Sequence, residues 1–184
     1  LDSTSDMLND HLSHAYPFRD YFYEDIFVKY VLNPRVYVEM LSPYRGFINS
    51  FFDEDTKKEF VRNPARIYDY INETIEDVTE MDYKSLIASP KGILEFKRAS
   101  QISKKVLFVA ICRSLGIPAR FNPIDQELEY YKDGEFVRVI AHEPKKKAKL
   151  TLSCQEKLEY FKNFTIARLI DGFYQNLRFW KHEG

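Results

Sequence analysis

The stretch SQISKKVLFVAICRSLGIPAR, residues 100–120, decides how the rest of this 184-residue chain is arranged. The run VLFVAIC within it is entirely apolar, so a helix over it has no polar face and is expected to be buried on every side. Ser100 or Ser103 suits the N-cap, because a hydroxyl accepts from the free N–H groups of a first helical turn. Gly116 suits a left-handed helix stop, and Pro118 cannot continue the helix. A central core helix followed at once by a strand is therefore predicted.

The composition of the chain is typical of a soluble globular protein. Hydrophobic residues make up 45% and charged residues 30% of the sequence, and the length allows one domain with a small appendage. A net charge of −1 provides no global field for nucleic acid, so nucleic-acid binding is disfavoured. No apolar run approaches the ~20 residues that span a bilayer, so no transmembrane segment is expected. Cys112 and Cys154 are too few for a disulfide framework and leave the redox compartment open.

The part of the chain before the central stretch is predicted to be helical. A short helix over residues 6–15 places four apolar side chains on one side: Met7, Leu8, Leu12 and Ala15. A second helix over residues 24–32 is ended by an Asn-Pro pair. Glu39 and Arg45 flank a third helix start and are interpreted as an ion pair rather than a catalytic pair.

A longer surface helix is predicted to begin at Asn63-Pro64 and to run as far as Met81. Its apolar face carries isoleucines at helical spacing and packs on the central helix. Its acidic residues, which include Glu76 and Asp77, fall largely off that face and are interpreted as a solvated surface.

The pattern changes to short strands after residue 120. Asp133-Gly134 lies between two β-rich runs, which is a strong hairpin signal because both residues tolerate a positive φ. Asp171-Gly172 repeats the signal, and the run KLTLS adds another strand, so an antiparallel sheet is predicted. The Pro-containing, lysine-rich segment 141–150 is interpreted as an exposed loop at a domain boundary.

The central stretch resembles the nucleophile helix of the transglutaminase-like superfamily, which includes transglutaminases, peptide-N-glycanase-type enzymes and bacterial thiol peptidases. VAICRSLGIPAR is its most specific part, and the blocks at 27–47 and 163–179 are similar to exported bacterial members. The resemblance implies an α+β, cysteine-proteinase-type fold with N-terminal helices, a buried central helix and an antiparallel sheet. It assigns residues 1–143 to the transglutaminase-like domain and residues 144–184 to a β-hairpin extension or the start of a further β domain.

The catalytic triad that the resemblance implies is missing from this sequence. The family places its Cys fifteen residues before the Gly of GIPAR, where this chain has Gln101, and a one-residue shift offers only Ser100. Residues 126–130, where the family His is expected, contain none, and the strand EFVRVI at 135–140 contains no Asp. The scaffold is therefore expected to have lost the family chemistry.

The sequence leaves open two alternatives to the loss of catalysis. Ser100 as nucleophile lacks the expected His as its base, so an N-cap role is favoured. Cys154 with His142 forms a relocated thiol pair only if the fold brings them together, whereas Cys112 is expected to be inert in the core. The alternative function is accordingly an active thiol hydrolase or acyl transferase of peptidase, peptide-N-glycanase-like or transglutaminase-like type.

The favoured function is binding without catalysis. The amide of Gln101, beside Ser100, can hydrogen-bond a ligand carbonyl or a sugar hydroxyl, and Lys97 and Arg98 can meet an acidic ligand at the helix N-terminus. We expect an inactive module that binds peptide, glycopeptide or glycan, or that organises a larger exported bacterial protein. The start at Leu1 is read as a processed form, and no cofactor or metal is expected because no motif for either stands out.

Overall fold

The computed structural model of the protein describes residues 4–80, 87–140, 159–160, 162–170 and 173–176. The helices of this part of the chain are α1 (Ser5–Ala15), α2 (Glu24–Phe27), α3 (Arg45–Phe51), α4 (Glu54–Arg62), α5 (Ala65–Thr74), α6 (Pro90–Phe96) and α7 (Gln101–Ser114). A 3₁₀ segment, Tyr16–Tyr21, follows α1, and a π-helical turn, Val28–Leu32, continues α2.

The strands within the described residues form three small sheets. Their bounds are β1 (Glu76–Asp77), β2 (Arg98–Ala99), β3 (Ala119–Phe121), β4 (Leu128–Lys132), β5 (Glu135–Arg138), β6 (Ala167–Ile170) and β7 (Phe173–Asn176). β1 and β2 pair in parallel, β3, β4 and β5 lie side by side, and β6 and β7 form an antiparallel pair. The predicted α+β class is therefore confirmed.

The chain divides into two compact units. One contains Leu1–Arg120 and Leu128–Ile140, and the other contains Phe121–Glu127 and Ala141–Gly184. The predicted boundary between residues 143 and 144 lies outside the described residues and stays a prediction. No helix of the described segments combines the length and apolar character needed to cross a membrane.

Helix α7 forms the centre of the first unit, as its sequence predicts. Every residue of its run VLFVAIC is fully inaccessible to solvent. The helix ends where Gly116 takes a φ of 77°, and the N–H of Ile117 returns to the carbonyl of Cys112 at 2.9 Å. β3 follows, so both the helix and its immediate strand are confirmed.

Gly116 also makes room for an aromatic ring from the N-terminal part of the chain. A Cβ at this position would lie 2.3 Å from Cδ1 of Phe18, which belongs to the 3₁₀ segment. Only a glycine satisfies both the positive φ and this close approach. The 3₁₀ segment is thereby docked on the end of α7.

The prediction of which α1 side chains are buried is wrong in one respect. Met7 and Ala15 are buried, but Leu8 and Leu12 are 52% and 50% exposed, and the core position between Met7 and Ala15 belongs to His11. His11 turns inward because its ring is hydrogen-bonded on both sides, to Arg45 Nε at 3.2 Å and to the carbonyl of Ser42 at 3.0 Å. A polar side chain with two buried partners displaces the two leucines from the core.

Arg45 is fully buried and does not pair with Glu39, contrary to the sequence-based interpretation. Besides His11, its guanidinium donates to the carbonyl oxygens of Arg113 at 2.8 Å, of Leu32 at 3.2 Å and of Val31. The Glu39 carboxylate instead accepts from two backbone N–H groups in the loop that precedes it. The charge of Arg45 is thus solvated by the ends of helices, where carbonyl groups point outward without intrahelical partners.

Arg113, near the end of α7, also donates to main-chain carbonyl groups. Its guanidinium donates to the carbonyl of Ala119 at 3.0 and 2.9 Å, of Asn33 at 2.8 Å and of Arg35 at 3.0 Å. Burial lowers the pKa of Arg113 to about 10, which leaves the group charged at neutral pH. This side chain joins α7, β3 and the loop after α2.

Helix α5 is shorter than predicted. Its core isoleucines Ile67 and Ile71 are fully buried as expected, but the helix ends at Thr74. The chain then becomes extended, and β1 pairs in parallel with β2 in the register Glu76↔Arg98 and Asp77↔Ala99. Glu76 and Asp77 therefore belong to a strand beside the start of α7 and not to a helix surface.

The predicted hairpins are confirmed where they are described. Asp133 and Gly134 take φ values of 52° and 93° between β4 and β5, as a tight hairpin turn requires. β6 and β7 pair antiparallel up to Ile170↔Phe173. The turn residues between them and the predicted strand KLTLS lie outside the described residues.

Replacing Arg113 by Met is expected to lower the free energy of unfolding by at least about 3 kcal/mol, because the buried carbonyl of Ala119 and the partly buried carbonyls of Asn33 and Arg35 lose their donor. Chemical denaturation of the purified protein measures this loss. Arg66→Met is the control, since that arginine makes exposed ion pairs with Glu59 and Asp69, and its loss is expected to cost less than about 0.5 kcal/mol. A loss below about 1 kcal/mol for Arg113→Met would contradict the role given to this side chain.

Acid is expected to destabilise the protein through His11. Burial, and then the positive charge of Arg45, lower the pKa of His11 to about 4, whereas in the unfolded chain it is near 6.5. The unfolded state therefore binds the proton first, and the stability from neutral His11 is complete above pH 6.5 and is lost as the pH falls toward 4 and below. The slope of unfolding free energy against pH should be shallower in His11→Gln over this range.

The matched control for His11 is His14→Gln, which replaces the other histidine of α1, a side chain 37% exposed. This variant should show the same slope of unfolding free energy against pH as the wild-type protein. Parallel slopes for His11→Gln and wild type would rule out His11 as the source of the acid sensitivity.

Candidate functional site

The start of α7 is the candidate site, because the resemblance places the missing nucleophile at Gln101. Ser100 occupies the N-cap position in extended conformation, with φ −70° and ψ 162°. Its hydroxyl makes no cap and instead shares a 2.9 Å hydrogen bond with the buried hydroxyl of Ser103. The predicted cap position is confirmed, and the predicted role of the hydroxyl is wrong.

A side chain from a distant segment caps the helix instead. The backbone N–H of Gln101 donates to Thr79 Oγ1 at 2.9 Å, and the Thr79 hydroxyl donates to Asp77 Oδ1 at 2.6 Å. The side-chain amide of Gln101 donates to the other carboxylate oxygen, Asp77 Oδ2. Gln101 thus uses its backbone N–H and one of the two N–H donors of its side-chain amide within a closed ring of three residues.

The carboxylate of Asp77 is held in its charged form. Hydrogen bonds from the hydroxyl and the N–H of Thr79, and then from Gln101, hold the pKa of Asp77 below its usual range. The positive charge of Lys104, one turn into α7 and almost fully buried, acts in the same direction. The helix start therefore presents a negative charge to solvent.

The pairing of β1 with β2 brings this ring together. The N–H of Val78 donates to the carbonyl of Ala99 at 3.2 Å, which sets Asp77 and Thr79 beside the first turn of α7. Sequence reasoning missed both residues because it extended the preceding helix over them. The available signal was the spacing of Asp77 and Thr79, since an Asp side chain that binds the N–H two residues on favours a turn over a helix.

Arg98 and Lys97, the two cations predicted to meet an acidic ligand, have partners within the protein. The guanidinium of Arg98 makes a two-point contact with Glu76, with Nε–Oε2 at 2.8 Å and Nη2–Oε1 at 3.1 Å, on an exposed surface. Lys97 adopts a left-handed conformation after α6, and its Nζ donates to the hydroxyl of Tyr70 at 3.0 Å. The same ammonium lies 4.7 Å from the ring centroid of Phe51, so aromatic faces stabilise its charge.

The described thiol is far from this surface. Cys112 is fully buried, and burial raises the pKa of its thiol. It lies eleven residues after Gln101, about 16 Å along the helix axis. Cys154 and His142 fall outside the described residues, so their pairing stays a prediction.

The positions where the resemblance expects His and Asp carry other chemistry. Glu129, on β4, is buried and pairs with Arg120 at 2.8 Å between Oε2 and Nε. Within the segments that the structure describes, the Ser103 hydroxyl is the only hydrogen-bond partner of Ser100 Oγ, and no basic side chain is bonded to it. The same segments contain no cluster of three or more His, Cys, Asp or Glu side chains arranged to hold a metal ion.

The surface at the helix start can form hydrogen bonds but carries no thiol among the described residues. Asp77, Gln101, Glu76 and Arg98 are all exposed. Together they offer planar carboxylate, amide and guanidinium groups of the kind that bind hydroxyls and peptide amides.

Comparison with known proteins agrees with the fold. No match was found among curated proteins or among solved structures. Residues 47–123 match the model of the transglutaminase-like superfamily, a range that includes the start of α7, the strand pair beside it and the helix end at Gly116. Over residues 47–123, the chain is therefore similar to the transglutaminase-like superfamily.

Proposed function

We propose that this transglutaminase-like domain is catalytically inactive and binds a peptide or glycan at the start of α7. The observation that supports the proposal best is the ring of Gln101, Thr79 and Asp77. In the ring, the place where the resemblance puts a nucleophile holds the side-chain amide of Gln101, which cannot attack a carbonyl. The polar side chains around it are suited to holding a ligand without transforming it.

The ring also occupies a backbone N–H that could otherwise assist acyl transfer. A free N–H at a helix start can stabilise the oxyanion that forms when a nucleophile attacks an amide. The N–H of Gln101 already donates to Thr79, and the fixed negative charge of Asp77 opposes a second negative charge beside it. Among the described residues, this surface disfavours the transition state of the family reaction and carries no thiol.

The proposal extends to the setting of the domain. From the resemblance alone, we place it in a larger exported bacterial protein, in which it binds peptide or glycan without cleaving it or organises the larger protein. The alternative is a thiol enzyme whose catalytic pair has moved to Cys154 and His142. The measurement of turnover described next distinguishes it from an inactive domain.

The purified protein is expected to show no hydrolysis of peptide amides or glycopeptides and no amine incorporation, as followed by mass spectrometry. Native Cys112 should react with iodoacetamide more slowly than in denatured protein at every pH from about 6 to 9, because burial raises its thiol pKa. Turnover that Cys154→Ser abolishes would establish the thiol enzyme instead. Turnover that Ser100→Ala abolishes would establish a serine nucleophile.

Ligand binding is tested by NMR titration with short peptides and with N-acetylated oligosaccharides. One of the two classes should shift the resonances of residues 76–79 and 98–101. Gln101→Ala and Asp77→Asn should each weaken that binding about tenfold, the loss of roughly 1.4 kcal/mol expected for a polar contact.

The control for the titration is Glu73→Gln, which changes an exposed carboxylate on α5. It should leave the affinity unchanged. Binding that is insensitive to Gln101→Ala, or the absence of binding by both ligand classes, would overturn the proposed site.

A further inference from the structure

Helix α1 carries a second apolar stripe that faces solvent. Leu8 and Leu12 of α1 and Tyr16, the residue that caps its C-terminal end, follow one another at intervals of four residues, and each is about half exposed. Residues four apart lie on one face of a helix, so these side chains form a continuous ridge. The inner face of the same helix is already satisfied by Met7 and His11.

The ridge borders a groove between α1 and the helical residues 24–32. The groove has a volume of about 450 Å³. Its apolar lining consists of Leu12, Tyr16, Phe22, Phe27, Val28 and Leu32. We call this the α1 groove. Val28 on its far wall is 44% exposed, so apolar side chains are open to solvent on both sides of it.

The walls of the α1 groove are fixed by the core. Phe18 is seated on Gly116 at the end of α7, which holds the 3₁₀ segment in place. Phe22, at the groove, makes an edge-to-face contact with Tyr131 on β4, with ring centroids 6.4 Å apart. Because these anchors are contacts within the folded unit, the groove does not need to form upon binding.

The charges at the α1 groove are unequal. Asp20 and Glu24 contribute two carboxylates to the lining, against the single guanidinium of Arg19. That guanidinium donates to the hydroxyl of Tyr16 at 3.0 Å, so part of its donor capacity is used locally. The rim therefore favours a ligand that carries positive charge.

We propose that the α1 groove is a docking site for a basic amphipathic helix of a partner polypeptide. The ridge repeats every four residues, about 6 Å along the axis, which is the spacing that the side chains of a packed helix match. An apolar face fills the groove, and lysine or arginine beside that face meets Asp20 and Glu24. A second copy of this chain fits less well, because its α1 groove would bring the same carboxylates against one another.

The test uses a fluorescein-labelled synthetic peptide of sixteen residues, with leucines at i, i+3, i+4 and i+7 and lysines at the flanking positions. Fluorescence anisotropy of the full chain should show saturable binding that is at least about tenfold tighter than for a peptide of the same composition in scrambled order. Replacing each lysine of the probe by glutamate should abolish the binding. Equal binding of ordered and scrambled peptides, or no binding, overturns the proposal.

Variants of the protein locate the site. Leu12→Ser and Val28→Ser should each weaken binding about tenfold while the unfolding midpoint stays near that of wild type, because both side chains are largely exposed. Val61→Ser is the matched control, since Val61 is an equally exposed valine on α4, and its affinity should not change. An effect of Val61→Ser as large as that of Val28→Ser overturns the assignment to this groove.

Two further measurements separate the other occupants. Sedimentation that shows concentration-dependent dimers in wild type but not in Leu12→Ser assigns the α1 groove to a second copy and overturns the proposal. Leu12-dependent binding to vesicles of phosphatidylcholine with one quarter phosphatidylglycerol assigns it to a membrane surface and also overturns it. A monomer that does not bind vesicles and binds the basic peptide through Leu12 supports it.

Discussion

Two buried arginines hold this domain together by solvating their charges with main-chain carbonyls. Arg45 joins the end of α7 to α1 and to the turn after α2, and Arg113 joins α7 to β3 and to the loop at residues 33–35. The carbonyls that Arg45 binds lie at helix ends, which leave them without intrahelical partners, and those that Arg113 binds lie in β3 and the loop, so the two cations complete hydrogen bonds that the backbone needs. Because a planar guanidinium offers five donors, one side chain can satisfy several segments at once, which an ammonium group cannot do in this geometry.

The sequence allowed the prediction of those elements whose cause is local. The apolar run in α7, the glycine that ends it and the Asp-Gly turn between β4 and β5 each follow from residues within a few positions of one another. The inner face of α1 did not follow, because the burial of His11 depends on Arg45, which is 34 residues away. The end of α5 was missed for the same kind of reason, since the β1 strand exists only by pairing with β2.

The candidate site was predictable in position but not in construction. The helix start and Gln101 were identified from the frame of α7, yet the groups that cap it come from another segment. Thr79 caps α7 across 22 residues, and the carboxylate of Asp10 caps α3 in the same way by accepting from the N–H groups of Arg45 and Gly46. Local capping patterns in a sequence cannot reveal a cap that the tertiary fold supplies.

The contact of Phe18 with Gly116 shows that the folding unit extends beyond the residues that match the family. The match covers residues 47–123, but the ring that fills the space above Gly116 and the arginine that ties α7 to α1 both precede it. A fragment cut at the limits of the match would expose the end of its core helix and leave the carbonyl of Arg113 without its donor. For expression and engineering, the N-terminal helices are an integral part of this domain and not a separable extension.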